Sequence, residues 1–167
     1  MEEITYQLAE EVGKRLIEKQ IMLCVAESCT GGLIGHMITN VAGSSNYFLG
    51  GVQAYSNQTK VDVIHVQQQT LDHCGAVSQE TSLEMARGVR QLFSPQSPKE
   101  NLVGLSVTGV AGPGGGTPQK PVGLVWIGLS SPGGDYAWQH TWKGNREENK
   151  IASAIAALEH LMDILKE

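Results

Sequence analysis

Apolar residues recur along the chain at helical spacing in some segments and in short continuous runs in others. Near the N-terminus, four of them lie at every fourth position and predict a helix that ends at about Lys19: Ile4, Leu8, Val12 and Leu16. An apolar run at residues 21–26 then predicts a short buried strand. A second helical stripe follows it and comprises Leu33, Ile34, Met37, Ile38 and Val41. The order strand, turn, helix therefore surrounds the polar and glycine-containing segment at residues 27–32.

The remainder of the chain alternates in the same way. Further strands are predicted at residues 50–56, 102–109, 123–130 and 136–142. The sequence SPGGD between the last two strands predicts that they form a hairpin.

Residues that favour helix N-termini mark the helices between these strands. Asn57 is predicted to cap a short helix, and Ser78 to cap a longer one. The longer helix has an inward stripe of Ser82, Met85, Ala86, Val89, Leu92 and Phe93. The last helix begins near Arg146. Its inward-facing residues are predicted to be Ile151, Ile155, Leu158, Met162 and Leu165. Helices that alternate with strands, together with one hairpin, predict an α/β fold: a three-layer α/β/α domain with a mixed β-sheet.

Composition and charge narrow the classes of function. The chain has 167 residues, 41% of them hydrophobic and 17% charged, which predicts a single globular domain over residues 1–167. The net charge of −5, without any basic run, argues against nucleic acid as a partner, because that needs a cationic surface. A small phosphorylated substrate is still compatible with this charge, because backbone N–H groups and one arginine can hold a single phosphate.

The placement of cysteine and histidine gives no sign of a metal or a disulfide framework. Cys24, Cys29 and Cys74 have irregular spacing and form no Cys-x-x-Cys pair. The five histidines are scattered, so neither a metal nor a cofactor is expected. The acidic start does not resemble a secretory signal, and no apolar run approaches the roughly 18–20 residues of a membrane span. We therefore expect a cytoplasmic protein without a membrane partner.

Ser28 is the first candidate for chemistry, because it lies where a buried strand ends and a helix begins. Backbone N–H groups of a first helical turn can bind the oxyanion of a tetrahedral intermediate, and Gly31 and Gly32 would let a substrate approach the backbone closely. The alternative is that Ser28 only caps the helix, with Thr30 as a second polar residue. Cys29 is the main rival nucleophile, because a thiol pKa falls at a helix N-terminus.

Lys60 and Tyr55 are the candidates to activate a serine. A hydroxyl is a poor nucleophile until a base takes its proton, and a lysine can serve if burial lowers its pKa. Tyr55, at the end of a predicted strand, could pass or orient that proton. Spacing does not place either residue beside Ser28. On its own, Lys60 would be interpreted as a surface lysine and Tyr55 as a packed strand aromatic.

A long glycine-proline loop at residues 108–121 is the third candidate. It lacks the Lys-Ser/Thr ending of a P-loop, and a threonine replaces the third glycine of the dinucleotide fingerprint. It could be a wide surface turn, but its length and the preceding buried strand favour a binding loop. Arg146 could clamp an anion, or it could pair with Glu147 or another neighbour.

Several multi-residue segments occur in the order expected of one family. They are AESCTGG (26–32), AGSSNYF (42–48), YSNQTK (55–60), GAVS (75–78), TGVAGPGGGTPQKPVG (108–123) and GNR (144–146). Through these segments nearly the whole chain resembles the CinA C-terminal domain family, the bacterial nicotinamide-nucleotide amidohydrolases. The resemblance implies a CinA C-terminal-like α/β/α fold and a homo-oligomer. It also implies hydrolysis of nicotinamide mononucleotide (NMN) to nicotinic acid mononucleotide and ammonia, a step of pyridine-nucleotide recycling.

The resemblance also implies residue roles. A catalytic Ser–Lys pair assisted by a tyrosine falls on Ser28, Lys60 and Tyr55. The predicted substrate-binding set is Cys29, Thr30, Gly31, Gly32, Thr108, Gly109, Gly112, Gly115, Gly116 and Arg146. Two residues depart from the expected pattern: Asn145, where Asp is common, and Gly114, where a polar residue is common. Both departures concern affinity for the substrate rather than the chemistry.

Other classes of function stay open from the sequence. One is a catalytically silent, nucleotide-binding paralogue, against which the intact Ser28, Tyr55 and Lys60 argue. Another is an interaction protein linked to competence or DNA damage, for which the acidic charge argues against direct DNA contact. A third is an amidase whose substrate is not a nucleotide.

Overall fold

The computed structural model describes residues 2–166, with side chains from Thr5 onward, so the predicted role of the Ile4 side chain lies outside the described residues. The helices are α1 (Glu2–Glu18), α2 (Leu33–Thr39), α3 (Asn57–Ile64), α4 (Gln68–Cys74), α5 (Gln79–Phe93) and α6 (Arg146–Lys166). The strands are β1 (Met22–Glu27), β2 (Phe48–Gln53), β3 (Leu102–Gly109), β4 (Leu124–Ser131) and β5 (Gly134–Thr141). Short 3-10 turns lie at Ser44–Asn46 and Lys99–Asn101.

The five strands form one mixed sheet in the order β2-β1-β3-β4-β5. Strand β1 pairs in parallel with β2 on one side and with β3 on the other. Strands β4 and β5 pair antiparallel as the predicted hairpin. The central strand β3 is buried at seven of its eight positions, as expected of a strand covered on both faces.

Helices cover both faces of the sheet and enclose two apolar clusters. Helices α1, α2 and α6 pack on one face, where the larger cluster includes Val12, Ile34 and Leu158. Helices α3, α4 and α5 lie on the other face over a smaller cluster that includes Ile64 and Met85. The predicted three-layer α/β/α architecture is confirmed.

Several local predictions need correction. Strand β2 begins and ends earlier than predicted. Ser56 is not part of the strand but the N-cap of α3, since its hydroxyl accepts the N–H of Thr59 at 3.0 Å. Asn57, which was predicted as the cap, is the first helical residue. Helix α4 was not predicted, because Leu71 is its only buried side chain and gives no periodic stripe. Leu92 is 40% exposed rather than inward-facing. The Ser78 cap is confirmed, since its hydroxyl accepts the N–H of Thr81 at 3.2 Å.

Candidate active site

The carboxyl ends of three parallel strands meet at one edge of the sheet, which is where α/β proteins commonly bind ligands. Ser28 follows β1 directly, Tyr55 lies two residues beyond β2, and Thr108 and Gly109 end β3. A pocket of about 260 Å³ opens at this edge. The lining comprises Ser28, Cys29, Tyr55, Asn57, Lys60, Ala76, Val77, Thr108, Gly109, Val110, Ala111, Gly112, Gly114, Gly115 and Arg146.

The fold brings Lys60 to Ser28, although 32 positions separate them in the sequence. Lys60 Nζ lies 3.1 Å from Ser28 Oγ, because α3 starts right after the loop from β2 and crosses toward the end of β1. Lys60 is 1% exposed and Ser28 is 8% exposed. The interpretation of Lys60 as a surface lysine is therefore wrong, and this residue is among the most buried in the protein.

Burial lowers the pKa of Lys60 from 10.5 to about 8, because a buried ammonium loses its hydration. Lys60 Nζ also donates to the carbonyl oxygens of Ala54 at 2.7 Å and Tyr55 at 3.3 Å. A neutral amine has two N–H bonds and one lone pair. With the two carbonyls satisfying the N–H bonds, the lone pair is left to accept a proton from Ser28 Oγ.

The alternative that Ser28 only caps helix α2 is wrong, because Glu27 takes that role. The buried Glu27 carboxylate accepts the N–H groups of Gly32 at 3.0 Å, Ile34 at 3.1 Å and Gly35 at 2.9 Å. The Ser28 hydroxyl is thereby free to face Lys60. Residue Gly32, which has φ +97°, makes the turn into the helix in a conformation that L side chains rarely adopt.

Of the backbone N–H groups that follow Ser28, that of Cys29 is available to a ligand, since Cys29 lines the pocket. Neither the Cys29 nor the Thr30 N–H donates to an oxygen atom of residues 2–166. The Gly31 N–H, in contrast, donates to the Ser28 carbonyl at 3.1 Å. Because Thr30 is fully buried and does not line the pocket, the Cys29 N–H is the one among the predicted donors at residues 29–31 that suits an oxyanion.

Cys29 lines the pocket but is poorly suited to act as a nucleophile. Its side chain is 6% exposed, and burial raises the pKa of its thiol to about 12. The lowering expected from the helix N-terminus is not found, because desolvation outweighs it. Ser28 keeps the stronger claim to the chemistry.

Tyr55 and Arg146 meet across the mouth of the pocket. Tyr55 is 63% exposed, so the interpretation as a packed strand aromatic is wrong. Its hydroxyl accepts from Arg146 Nη2 at 3.1 Å, and Arg146 Nη1 donates to the Gly112 carbonyl at 2.7 Å. Arg146 therefore forms hydrogen bonds with Tyr55 and the glycine loop, and not an ion pair with Glu147. The role of the Tyr55 hydroxyl in proton transfer stays a prediction.

The glycine loop is built as one wall of the pocket and not as a loose surface turn. Asn149 on α6 donates from Nδ2 to the Ala111 carbonyl at 3.0 Å, and Lys120 donates from Nζ to the Cys74 carbonyl. Gly112 has φ +87°, and a Cβ there would lie 2.5 Å from Val122 Cγ1. The N–H groups of Gly114 and Gly115 donate to no oxygen of the described residues.

The predicted binding residues divide into two groups. Cys29, Thr108, Gly109, Gly112, Gly115 and Arg146 line the pocket, whereas Thr30, Gly31, Gly32 and Gly116 do not. The Thr108 hydroxyl is also engaged, since it donates to the Ala76 carbonyl at 2.7 Å. Three further lining residues, Val110, Ala111 and Gly114, lie in the loop that the sequence analysis gave as a candidate binding loop. The sequence analysis missed Asn57, Ala76 and Val77, and the available signal was that they lie in the family segments YSNQTK and GAVS.

The two departures from the family pattern have separate structural outcomes. Asn145 caps α6: its Oδ1 accepts the N–H groups of Glu147 at 2.9 Å and Glu148 at 3.0 Å. Glu148 Oε2 in turn accepts the Asn145 N–H at 2.7 Å, which completes a capping box. An aspartate would cap equally well, so this change leaves the helix start intact. At Gly114 an added Cβ would meet nothing within 4 Å.

Neither a cluster of metal ligands nor a membrane-spanning helix is found in the described part of the chain. Residues 2–166 contain no group of three or more His, Cys, Asp and Glu side chains placed to hold a metal ion. Within the same residues, no helix combines the length and the hydropathy that a bilayer crossing requires.

Comparison with known proteins identifies the family to which this chain belongs. The sequence profile of the CinA C-terminal domain matches residues 5–165. A CinA-like protein of a Cyanothece species is 47% identical over 92% of this chain and 36% of its own length. One from Desulforapulum autotrophicum is 46% identical over 90% of this chain and 34% of its own length. The chain thus spans about a third of these curated relatives.

Solved structures share the fold over almost the whole of this chain. The competence/damage inducible protein CihA from Agrobacterium tumefaciens superposes with a TM-score of 0.86 at 36% identity, covering 98% of this chain and 96% of that one. A CinA superfamily protein from Klebsiella pneumoniae gives a TM-score of 0.89 at 27% identity, covering 97% and 98%. By profile, sequence and structure, this chain belongs to the CinA C-terminal domain family.

Proposed function

We propose that this protein is an amidohydrolase that converts NMN to nicotinic acid mononucleotide and ammonia, with Ser28 as nucleophile and Lys60 as base. One observation carries the proposal: the 3.1 Å contact between Lys60 Nζ and Ser28 Oγ in a buried site. A lysine whose pKa is about 8 is partly neutral near physiological pH, as a general base must be. The resemblance to nicotinamide-nucleotide amidohydrolases supplies the substrate.

Acylation would begin when neutral Lys60 removes the Ser28 proton as Oγ attacks the carboxamide carbon. The N–H group of Cys29 would stabilise the resulting oxyanion, and such a donor is typically worth about 3–4 kcal/mol. Protonated Lys60 would then return its proton to the departing nitrogen, and ammonia would leave. The pyridinium ring withdraws electrons and makes the carboxamide carbon more reactive.

Deacylation would use the same groups in the second half of the reaction. Water attacks the ester on Ser28, Lys60 accepts the water proton, and Ser28 Oγ leaves with a proton to complete the cycle. The backbone carbonyl of Tyr55 accepts a hydrogen bond from Lys60 Nζ, and its hydroxyl accepts one from Arg146. Tyr55 is therefore proposed to orient the proton path at the pocket mouth. No step in this scheme calls for a cofactor.

The nucleotide part of the substrate would lie along the glycine loop. Arg146 still has donors beyond the two it uses for Tyr55 and Gly112, because a guanidinium carries five N–H bonds. The unpaired N–H groups of Gly114 and Gly115 would bind the phosphate as well, since successive backbone amides commonly bind phosphate. Together they would hold the phosphate while the carboxamide reaches Ser28.

The test of this proposal is turnover of NMN by the purified protein in the presence of a chelator. We expect ammonia and nicotinic acid mononucleotide in equal amounts, with ammonia measured by a coupled assay and the nucleotide by chromatography. Inactive Ser28→Ala protein serves as the control for contaminating amidases. Absence of both products at saturating NMN, from folded protein, would show that the assignment is wrong.

A further inference from the structure

Glu27 is a buried acidic side chain that the proposed chemistry does not use. It is 2% exposed, and no Lys or Arg nitrogen of the described side chains forms an ion pair with it. A buried carboxylate is costly unless hydrogen bonds replace its hydration. Glu27 obtains them from three backbone N–H groups: Oε2 accepts from Gly32 and Ile34, and Oε1 accepts from Gly35.

These three hydrogen bonds fix the C-terminal end of the segment at residues 28–31, which carries the nucleophile. Residues 28–31 lie between the Glu27 backbone, which ends β1, and Gly32, which is held by the Glu27 side chain. Within the segment, the Ser28 N–H donates to the Val107 carbonyl at 2.9 Å and the Gly31 N–H to the Ser28 carbonyl at 3.1 Å. The Cys29 and Thr30 N–H groups are left without an oxygen acceptor among residues 2–166.

We infer that Glu27 is a positioning residue, whose carboxylate fixes the backbone so that the Cys29 N–H group meets the oxyanion. This inference rests on the proposed function, because it assigns that N–H group to the tetrahedral intermediate. Glu27 itself does not line the pocket at Ser28. It lies on a second cavity of about 230 Å³, beside Gly35 and Thr39, so its proposed effect on the oxyanion runs through the backbone that it holds.

The variant Glu27→Gln separates the carboxylate from the size of the side chain. A carboxamide has one acceptor atom, so its NH₂ group must face either Gly35 or the pair Gly32 and Ile34, which are donors as well. We expect kcat to fall about 10–100-fold, as for a misplaced oxyanion donor, with KM changed less than about threefold. The midpoint of the pH profile should not move, because the pKa of Lys60 is shifted by burial and by Cys29 rather than by Glu27. General loss of folded protein would lower kcat too, but it would also lower the melting temperature.

Labelling of Ser28 with a fluorophosphonate probe gives a readout that does not depend on NMN. Ser28 Oγ gives its proton to Lys60, attacks the phosphorus and displaces fluoride, and the phosphonyl oxygen uses the same backbone donor, so Glu27→Gln should label at least about tenfold more slowly. Thr39→Val is the matched control, because Thr39 borders the same cavity and bonds only to carbonyls of its own helix. Its labelling and turnover should equal those of the wild type. Equal labelling and turnover by Glu27→Gln would overturn the inference while leaving the proposed function in place.

Other outcomes separate the two proposals. If the wild type labels at Ser28 but releases no ammonia from NMN, the proposed substrate is wrong, and the labelling rates still test Glu27. If the wild type neither labels nor turns over, both proposals fail.

Chemical rescue provides the decisive second variant. Glu27→Ala enlarges the adjoining cavity, so acetate should occupy the vacated space and restore labelling and turnover, whereas acetamide should not. Circular dichroism and the melting temperature establish that each variant is folded. Failure of acetate to restore activity in folded Glu27→Ala protein would overturn the inference. If neither variant folds, Glu27 serves only folding, and the inference is equally overturned.

Discussion

Lys60 has to lose a proton before it can accept one from Ser28, and its burial lowers the pKa of its ammonium group to about 8. About a tenth of the lysine is then neutral at pH 7, and most of it at pH 9. We expect kcat/KM for NMN to rise with pH around a midpoint near 8. Steady-state rates between pH 6 and 10 measure this directly.

Variants of Lys60 provide the controls for that profile. Lys60→Arg stays protonated throughout the range and should be inactive. Lys60→Ala should lose the titration together with most of the rate. A residual rate in Lys60→Ala that keeps the same midpoint would assign the titration to another group and contradict the role of Lys60 as base.

Single residues differ in how far their roles could be predicted from the sequence. Ser28 could be found because its own neighbours, a buried strand and two glycines, already specify the turn. Lys60 could not be placed beside it, because their contact depends on how β2 pairs with β1 and where α3 starts. Glu27 was overlooked as part of a polar turn, although an acidic residue just before a helix favours an N-terminal interaction.

The start of helix α6 is a testable element, because Asn145 and Glu148 form a reciprocal cap there. Asn145→Ala should lower the free energy of unfolding by about 1 kcal/mol, whereas Asn145→Asp should keep it within a few tenths. Denaturant unfolding of the three proteins measures the difference. Equal stability of Asn145→Ala and the wild type would show that the cap contributes nothing.

Elements with a strong apolar period were predictable, and weakly patterned ones were not. Helix α6 begins at Arg146 as predicted, because its inward stripe is long and regular. Helix α4 escaped notice because its sequence is polar around Leu71. The bounds of β2 were misplaced because it is an edge strand with little burial, so the pattern does not show where pairing stops.

Because Lys60 is buried, its protonation should affect the free energy of unfolding of the whole molecule as well as catalysis. Below pH 8 Lys60 is protonated in both the folded and the unfolded chain, and the folded protein bears the cost of a buried ammonium. Between pH 8 and 10.5 the folded protein has released this proton while the unfolded chain retains it. The stability due to this group therefore rises with pH, by at most about 1.4 kcal/mol per unit.

Lys60→Met removes this titration and leaves all other ionisable groups in place. We expect the melting temperature of the variant, relative to the wild type, to decrease steadily as the pH rises from 8 to 10. Thermal unfolding of both proteins in matched buffers gives the difference. A constant difference over that range would mean that the folded pKa of Lys60 is not lowered.

The net charge of −5 means that attraction for an anionic substrate has to be local. Arg146→Ala removes the charged donor at the pocket mouth, and loss of a hydrogen bond to a charged group costs about 1.5–3 kcal/mol. We therefore expect KM for NMN to rise about 10–100-fold. Because Arg146 also holds the Tyr55 hydroxyl, kcat/KM for the riboside should fall too, but less than kcat/KM for NMN, so the variant discriminates less between the two. Equal kcat/KM of the wild type for nucleotide and riboside would contradict a phosphate site and favour a general amidase.

The assignment of Ser28 as the nucleophile is the claim on which the rest depends, and Cys29 beside it is the natural comparison. The measurement is ammonia release from saturating NMN by Ser28→Ala and Cys29→Ala, each verified as folded. The account predicts that Ser28→Ala loses activity by about 10⁴-fold or more, while Cys29→Ala keeps most of it. If Cys29→Ala were inactive and Ser28→Ala retained turnover, the enzyme would be a thiol amidase and the account would be wrong.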